Sequence, residues 1–147
     1  MQWIHALSMD DLSVLDLYKM LKLRQDIFII EQDCIYDDID NIDPFCEHLL
    51  LKDGNKVIAC SRIVPAGKKF DDPSIGRIAV DKNYRGRSLG KKLVQKSLDI
   101  LSKTNTDAVI IEAQSYLLAF YESLGFQKTS DAYPVDGIPH NKMIYQY

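Results

Sequence analysis

Cysteine is scarce in this sequence, and what little there is has no pattern. Cys34, Cys46 and Cys60 are an odd number without C-x-x-C spacing. That argues against a disulfide framework and for a reduced, cytoplasmic protein. The three read as small buried or half-buried side chains; a reactive Cys34 or Cys46 stays open, because both fall in a loop. No His/Cys cluster has zinc spacing and no acidic run has calcium-loop spacing, so no metal is expected. No apolar run reaches about 18 residues, which leaves no membrane span. Met1 to Asp10 does not read as a signal peptide. A basic surplus is missing too: 18 Lys and Arg stand against 21 Asp and Glu, a net charge of −3. That argues against general nucleic-acid binding. There is no linker, internal repeat or low-complexity tract, so one domain is expected over residues 1–147.

The chain is organised around Ser74 to Leu101. Ser74-Ile75-Gly76-Arg77-Ile78-Ala79-Val80 is an apolar run of strand length. Asp81 to Gly90 is a basic turn carrying Gly86 and Gly90. Leu89, Leu93, Val94, Ser97, Leu98 and Leu101 then recur at helical spacing. A strand that turns through glycine into a helix start binds phosphate: the first N–H groups of the helix have no internal partner, and the dipole favours an anion. Only three residues separate Gly86 from Gly90, and Lys92 stands where a P-loop needs its hydroxyl. The turn is not a dinucleotide fingerprint either. What remains is a basic cradle for a pyrophosphate, with Arg85, Arg87, Lys91 and Lys92 around it.

The other segments follow from local signals. Trp3 to Ala6 is a short strand. Ser8, with Asp11 three residues on, predicts a helix cap, and leucines carry that helix to about Phe28. Glu31 to Phe45 is acidic and aperiodic, an ordered loop that suits a cationic amine. Asp53-Gly54-Asn55 predicts a hairpin between strands 48–52 and 56–64. Ala108 to Ala113 is a buried strand, Tyr116 to Ser123 a short helix capped by Gly125. Phe126 to Lys128 and Met143 to Tyr145 are the last strands. Ala132 to Asn141, with two prolines and a glycine, predicts a loop.

Asn83-Tyr84-Arg85-Gly86-Arg87-Ser88-Leu89-Gly90 resembles the acetyl-CoA pyrophosphate loop of the GCN5-related N-acetyltransferase (GNAT) family, whose motif is Q/R-x-x-G-x-G/A. Asn83 replaces the first residue and Ser88 the last. Ala119-Phe120-Tyr121-Glu122-Ser123-Leu124-Gly125-Phe126 is similar to the family's late helix. Leu23 to Gln32, His48-Leu49-Leu50, Ser61 to Pro65 and Asp136 to His140 resemble its ElaA-like branch.

The resemblance implies an α/β (α+β) fold, with a central mixed, mostly antiparallel twisted sheet flanked by helices. It implies an acyltransferase that moves an acetyl group from acetyl-CoA to a primary amine by direct transfer, and leaves a homodimer open. Ile78, Ala79 and Val80 would bond the pantetheine arm. Arg85, Gly86, Arg87, Ser88, Leu89 and Gly90 would hold the pyrophosphate. Tyr121 takes the position of the general acid: a free Tyr, with pKa about 10, carries a proton to give to a thiolate. Glu112, His140, Glu31 and His48 are candidates for the general base. Arg24, Glu31, Gln32 and His48 lie in the branch stretches and are expected at the acceptor, a small-molecule or peptide amine. Gln114 and Ser115 stand where many members have an asparagine that bonds the cofactor arm. Two alternatives remain: a non-catalytic acyl-CoA sensor on the same fold, and a nucleotide-binding regulatory module.

Overall fold

The computed structural model describes residues 1–147. Its strands are β1 (Gln2–Ala6), β2 (Glu47–Asp53), β3 (Lys56–Val64), β4 (Ser74–Val80), β5 (Ala108–Gln114), β6 (Gln127–Lys128), β7 (Tyr133–Val135) and β8 (Ile138–Gln146). They form one sheet in the order β1-β2-β3-β4-β5-β8-β6, with β7 also paired to β8. Every pairing is antiparallel except β4 with β5. The mixed, mostly antiparallel sheet is thus as expected.

Successive side chains of a strand point to opposite faces, so each face of the sheet collects its own apolar set. One face is covered by α1 (Val14–Arg24), whose Met20 and Leu23 pack with Leu50, Val57, Cys60 and Ala79. The other is covered by α2 (Leu89–Ser102) and α3 (Leu118–Ser123). Leu89 and Leu93 meet Leu49, Leu51 and Ile58. Val94, Leu98 and Leu101 meet Ile63, Ile75, Val109 and Ile111. All six α2 positions picked out by helical spacing are buried. No helix is long and apolar enough to cross a membrane.

Three local expectations change. Ser13, not Ser8, caps α1: its Oγ accepts the Asp16 N–H at 3.1 Å, while Met9–Asp11 closes a single tight turn. The helix does not run regularly to Phe28. From Gln25 to Glu31 it widens into π-helix, ending with Gln32 N–H on Ile27 O and Cys34 N–H on Ile29 O, both at 3.1 Å. The stretch 132–141 is a hairpin rather than a loop. Asp136 and Gly137 take φ values of 50° and 78°, the left-handed pair that a two-residue hairpin turn demands. The residues flanking such a turn exchange the ladder bonds, so Pro134 and Pro139 face each other at a position that needs no N–H.

The acidic loop is held by charge. Arg24, 1% exposed, donates to Asp38 at 2.9 Å and to Asp43 at 2.8 Å. Arg62, also 1% exposed, takes Asp40 through both terminal nitrogens at 2.7 and 2.8 Å and reaches Asp43 at 3.1 Å. Arg77 touches Asp38 and Asp40. Burial by itself would raise the Asp40 and Asp43 carboxyls, but the guanidinium hydrogen bonds and charges outweigh it and hold both below the usual carboxylate range.

Removing one member of a buried ion set strands the others, at about 3–5 kcal/mol. Arg24→Ala is therefore expected to lose that much in urea unfolding; a loss under about 1 kcal/mol would show that the set does not hold the loop. Because the folded-state pKa values are depressed, the network's stabilisation is complete above about pH 4 and is lost as pH falls from there toward the depressed values. Chemical unfolding midpoints from pH 7 to pH 2 will test this.

Candidate active site

β4 and β5 share one register pair, Ser74 with Ile110, reinforced by the Ile110 N–H on Pro73 O at 2.9 Å. Beyond it the two strands part, and a cleft of about 1060 Å³ runs between them. The β5-facing edge of β4 past Ser74 thus has no strand partner. Arg77 widens this edge further: with φ at 48° it makes a bulge, two residues of β4 standing against Ser61 of β3.

The turn before α2 closes one end of the cleft. Asp81 shapes it, accepting the Asn83 N–H on its carboxylate at 2.8 Å and the Tyr84 N–H on its carbonyl at 2.9 Å. Gly86 (φ 80°) and Ser88 (φ 58°) turn the chain left-handed, and the first helical bond is Lys92 N–H to Ser88 O. The N–H groups from Arg85 to Lys91 donate to no carbonyl or side chain of the protein. A run of free donors at a helix start, beside basic side chains, matches the donor set that a pyrophosphate requires.

Of the expected cofactor residues, Ile78, Ala79, Val80, Arg85, Gly86, Ser88, Leu89 and Gly90 line the cleft. The Arg87 side chain does not; it stacks on Tyr84, 4.9 Å from the ring centre. Arg85 donates to Val80 O at 3.2 Å and to Glu31 at 3.0 Å. Gln32 and Gln114 exchange two amide hydrogen bonds across the cleft, at 3.1 and 3.3 Å.

Tyr121 lies in α3 between Phe120 and Phe126, both edge-on. It is 6% exposed, and burial pushes its hydroxyl pKa well above the ordinary value, so it keeps its proton through the neutral range. Glu112 is engaged twice, accepting from Tyr133 at 2.7 Å and lying 3.4 Å from Lys69 Nζ. His140 Nδ1 sits 2.6 Å from Ile138 O. A carbonyl only accepts, so Nδ1 carries the proton and neutral His140 has a free lone pair on Nε2. Tyr121 packs with Ile111 and Ala113, whereas Glu112, Gln114 and their β8 partners point to the opposite face. Acid and base candidates therefore flank the split from its two sides.

Arg24 and His48 do not line the cleft. Arg24 belongs to the buried ion network. His48 is fully buried, its Nε2 donating to Asp43 O at 3.0 Å, and burial pushes its pKa down. Their place is structural, which corrects the expected acceptor role and removes His48 as a base. Other side chains line the cleft on that side: Tyr36, Asp37, Asp40, Arg62, Arg77 and Lys69. Tyr36, Asp37 and Asp40 come from the acidic loop expected to suit an amine; for Arg62 and Arg77 the signal in the sequence was a charged residue within an apolar strand. Three of the loop's aspartates are spent on arginines, so they form no free acidic wall.

The family model described as Acetyltransferase (GNAT) domain matches residues 28–147. The chain belongs to the GNAT family. Protein ElaA of Escherichia coli is 36% identical over 133 residues, 88% of this chain and 87% of its own. The crystal structure of E. coli ElaA superposes with a TM-score of 0.90 at 32% identity, covering 99% of this chain and all of that one. An acyl-CoA N-acyltransferase from Pseudomonas aeruginosa gives a TM-score of 0.90 at 29% identity, covering 98% of each chain. The chain thus falls in the ElaA-like branch of a family whose members transfer acyl groups from CoA.

The thiols differ in access. Cys34 is half-buried at the cleft, its Sγ 3.5 Å from Asp136 O. Burial pushes the Cys46 thiol up to about 11 and the Cys60 thiol up to about 12. Iodoacetamide at pH 8 is expected to label Cys34 alone in the folded protein; mass spectrometry showing rapid labelling of Cys46 or Cys60 would contradict their burial.

Proposed function

We propose that this GNAT protein transfers an acetyl group from acetyl-CoA to a primary amine, without a covalent acetyl-enzyme. The observation that carries the reading is the run of free N–H groups from Arg85 to Lys91, placed beside the unpaired edge of β4. The turn would hold the pyrophosphate, and the backbone of Ile78 to Val80 the pantetheine arm. The amine, a small molecule or a peptide terminus, would enter from the α1 face. His140 Nε2 takes the amine proton as nitrogen bonds to the thioester carbon. Tyr121 gives its own proton to the departing thiolate sulfur. We prefer His140 to Glu112 as base because Glu112 is already committed to Tyr133 and Lys69. Three free thiols fit a reducing cytoplasm.

Acetyl-CoA at about 100 times its Kd should stabilise the fold by about 2.7 kcal/mol, and ATP should not. Thiol release with spermidine, benzylamine and Ala-Gly then separates an enzyme from a binding-only protein. Tyr121→Phe and His140→Gln are each expected to lower kcat about 100-fold while leaving the acetyl-CoA Kd within about twofold. Glu112→Gln should cost less than about tenfold. The alkaline fall in kcat from Tyr121 should lie above about pH 10. Full turnover by Tyr121→Phe would remove Tyr121 from the mechanism, and binding without thiol release from any amine would favour the sensor.

A further inference from the structure

We propose that Arg77 is a positioning residue: it fixes the acceptor wall of the cleft against the strand edge that faces the thioester. The inference rests on the acyltransferase reading above. It starts from an unfavourable conformation. Arg77 holds φ at 48° in the middle of β4. A residue with a β-carbon loses free energy there, whereas glycine would make the same bulge without strain. What glycine lacks is the side chain, and its contacts are specific.

The guanidinium reaches from β4 across to the loop 36–40. Nη2 donates to Asp38 O at 3.1 Å and to Asp40 Oδ2 at 3.3 Å. Nε lies 2.8 Å from Asp38 Oδ1, a charge contact too bent to count as a hydrogen bond. Its Cζ lies over the Tyr36 ring, 5.4 Å from the centre. The Tyr36 hydroxyl donates to the same Asp38 carboxylate at 2.6 Å. Tyr36, Asp37 and Asp40 line the cleft. Arg24 and Arg62 already engage Asp38, Asp40 and Asp43 from beneath. Arg77 adds what they do not: a tie between the loop and the β4 bulge. One residue therefore shapes the edge next to Ile78 and sets where the wall of the amine site stands.

Two variants separate the parts. Arg77→Gly keeps the bulge and drops the guanidinium. Arg77→Lys keeps the charge without the planar fork or the stacking. In hydrogen exchange, amides of residues 36–45 in Arg77→Gly are expected to exchange about tenfold faster than in wild type, with α2 and β5 unchanged. In thiol-release assays with spermidine, benzylamine and Ala-Gly, the KM of each amine that turns over should rise about tenfold, while the acetyl-CoA KM stays within about twofold. Arg77→Lys should fall between the two. Unchanged exchange at 36–45, or acceleration spread evenly over the fold, overturns the proposal. So does an acetyl-CoA KM that rises in step with the amine KM. If acetyl-CoA gives no thermal shift and no amine turns over, the acyltransferase reading falls, and the exchange arm alone decides whether Arg77 positions the wall.

Discussion

The sheet holds together through β4 and β5 at a single register pair, and the rest of the site follows from how short that pairing is. Had the parallel ladder continued, the edge of β4 would have spent its N–H and C=O groups on β5. Because it stops, the backbone edge from Gly76 to Val80 is left for a ligand, and the gap is wide enough for one. One core lies under α1, and the core under α2 and α3 bridges the split, taking Ile63 and Ile75 from one side and Val109, Ile111 and Met143 from the other.

A second constraint closes the loop side of the cleft. The loop 36–43 has little apolar material to bury, and it is held instead by guanidinium groups from α1, β3 and β4. Such an arrangement is costly to desolvate and costly to break, which makes it a poor source of net stability and a strict source of geometry. The π-helical turn that precedes it brings Glu31 to Arg85 and Gln32 to Gln114, linking this side to both others.

Much of the fold was legible because its signals are local. The spacing of Leu93, Val94 and Leu98 follows directly from 3.6 residues per turn, and Gly86 before α2 from the backbone angle its turn needs. The hairpin at Asp136-Gly137 was missed because two flanking prolines outweighed a turn signal that their opposed pairing in fact allows. The cap at Ser13 was missed because Ser8 offers the same local chemistry.

By itself, the sequence determined the glycine turn before α2, the order of strands and helices as far as β6, and the late helix with Tyr121. Each is written in contiguous residues, and a contiguous pattern needs no partner to be recognised. Tertiary structure alone decided that Arg24 and His48 are buried supports, that Asp38, Asp40 and Asp43 are paired with arginines, and that Arg77 reaches the loop 36–40. Those roles depend on which distant charges meet. Arg77 and Asp38 are 39 residues apart in the chain and pair only because β4 and the loop fold onto the same cleft.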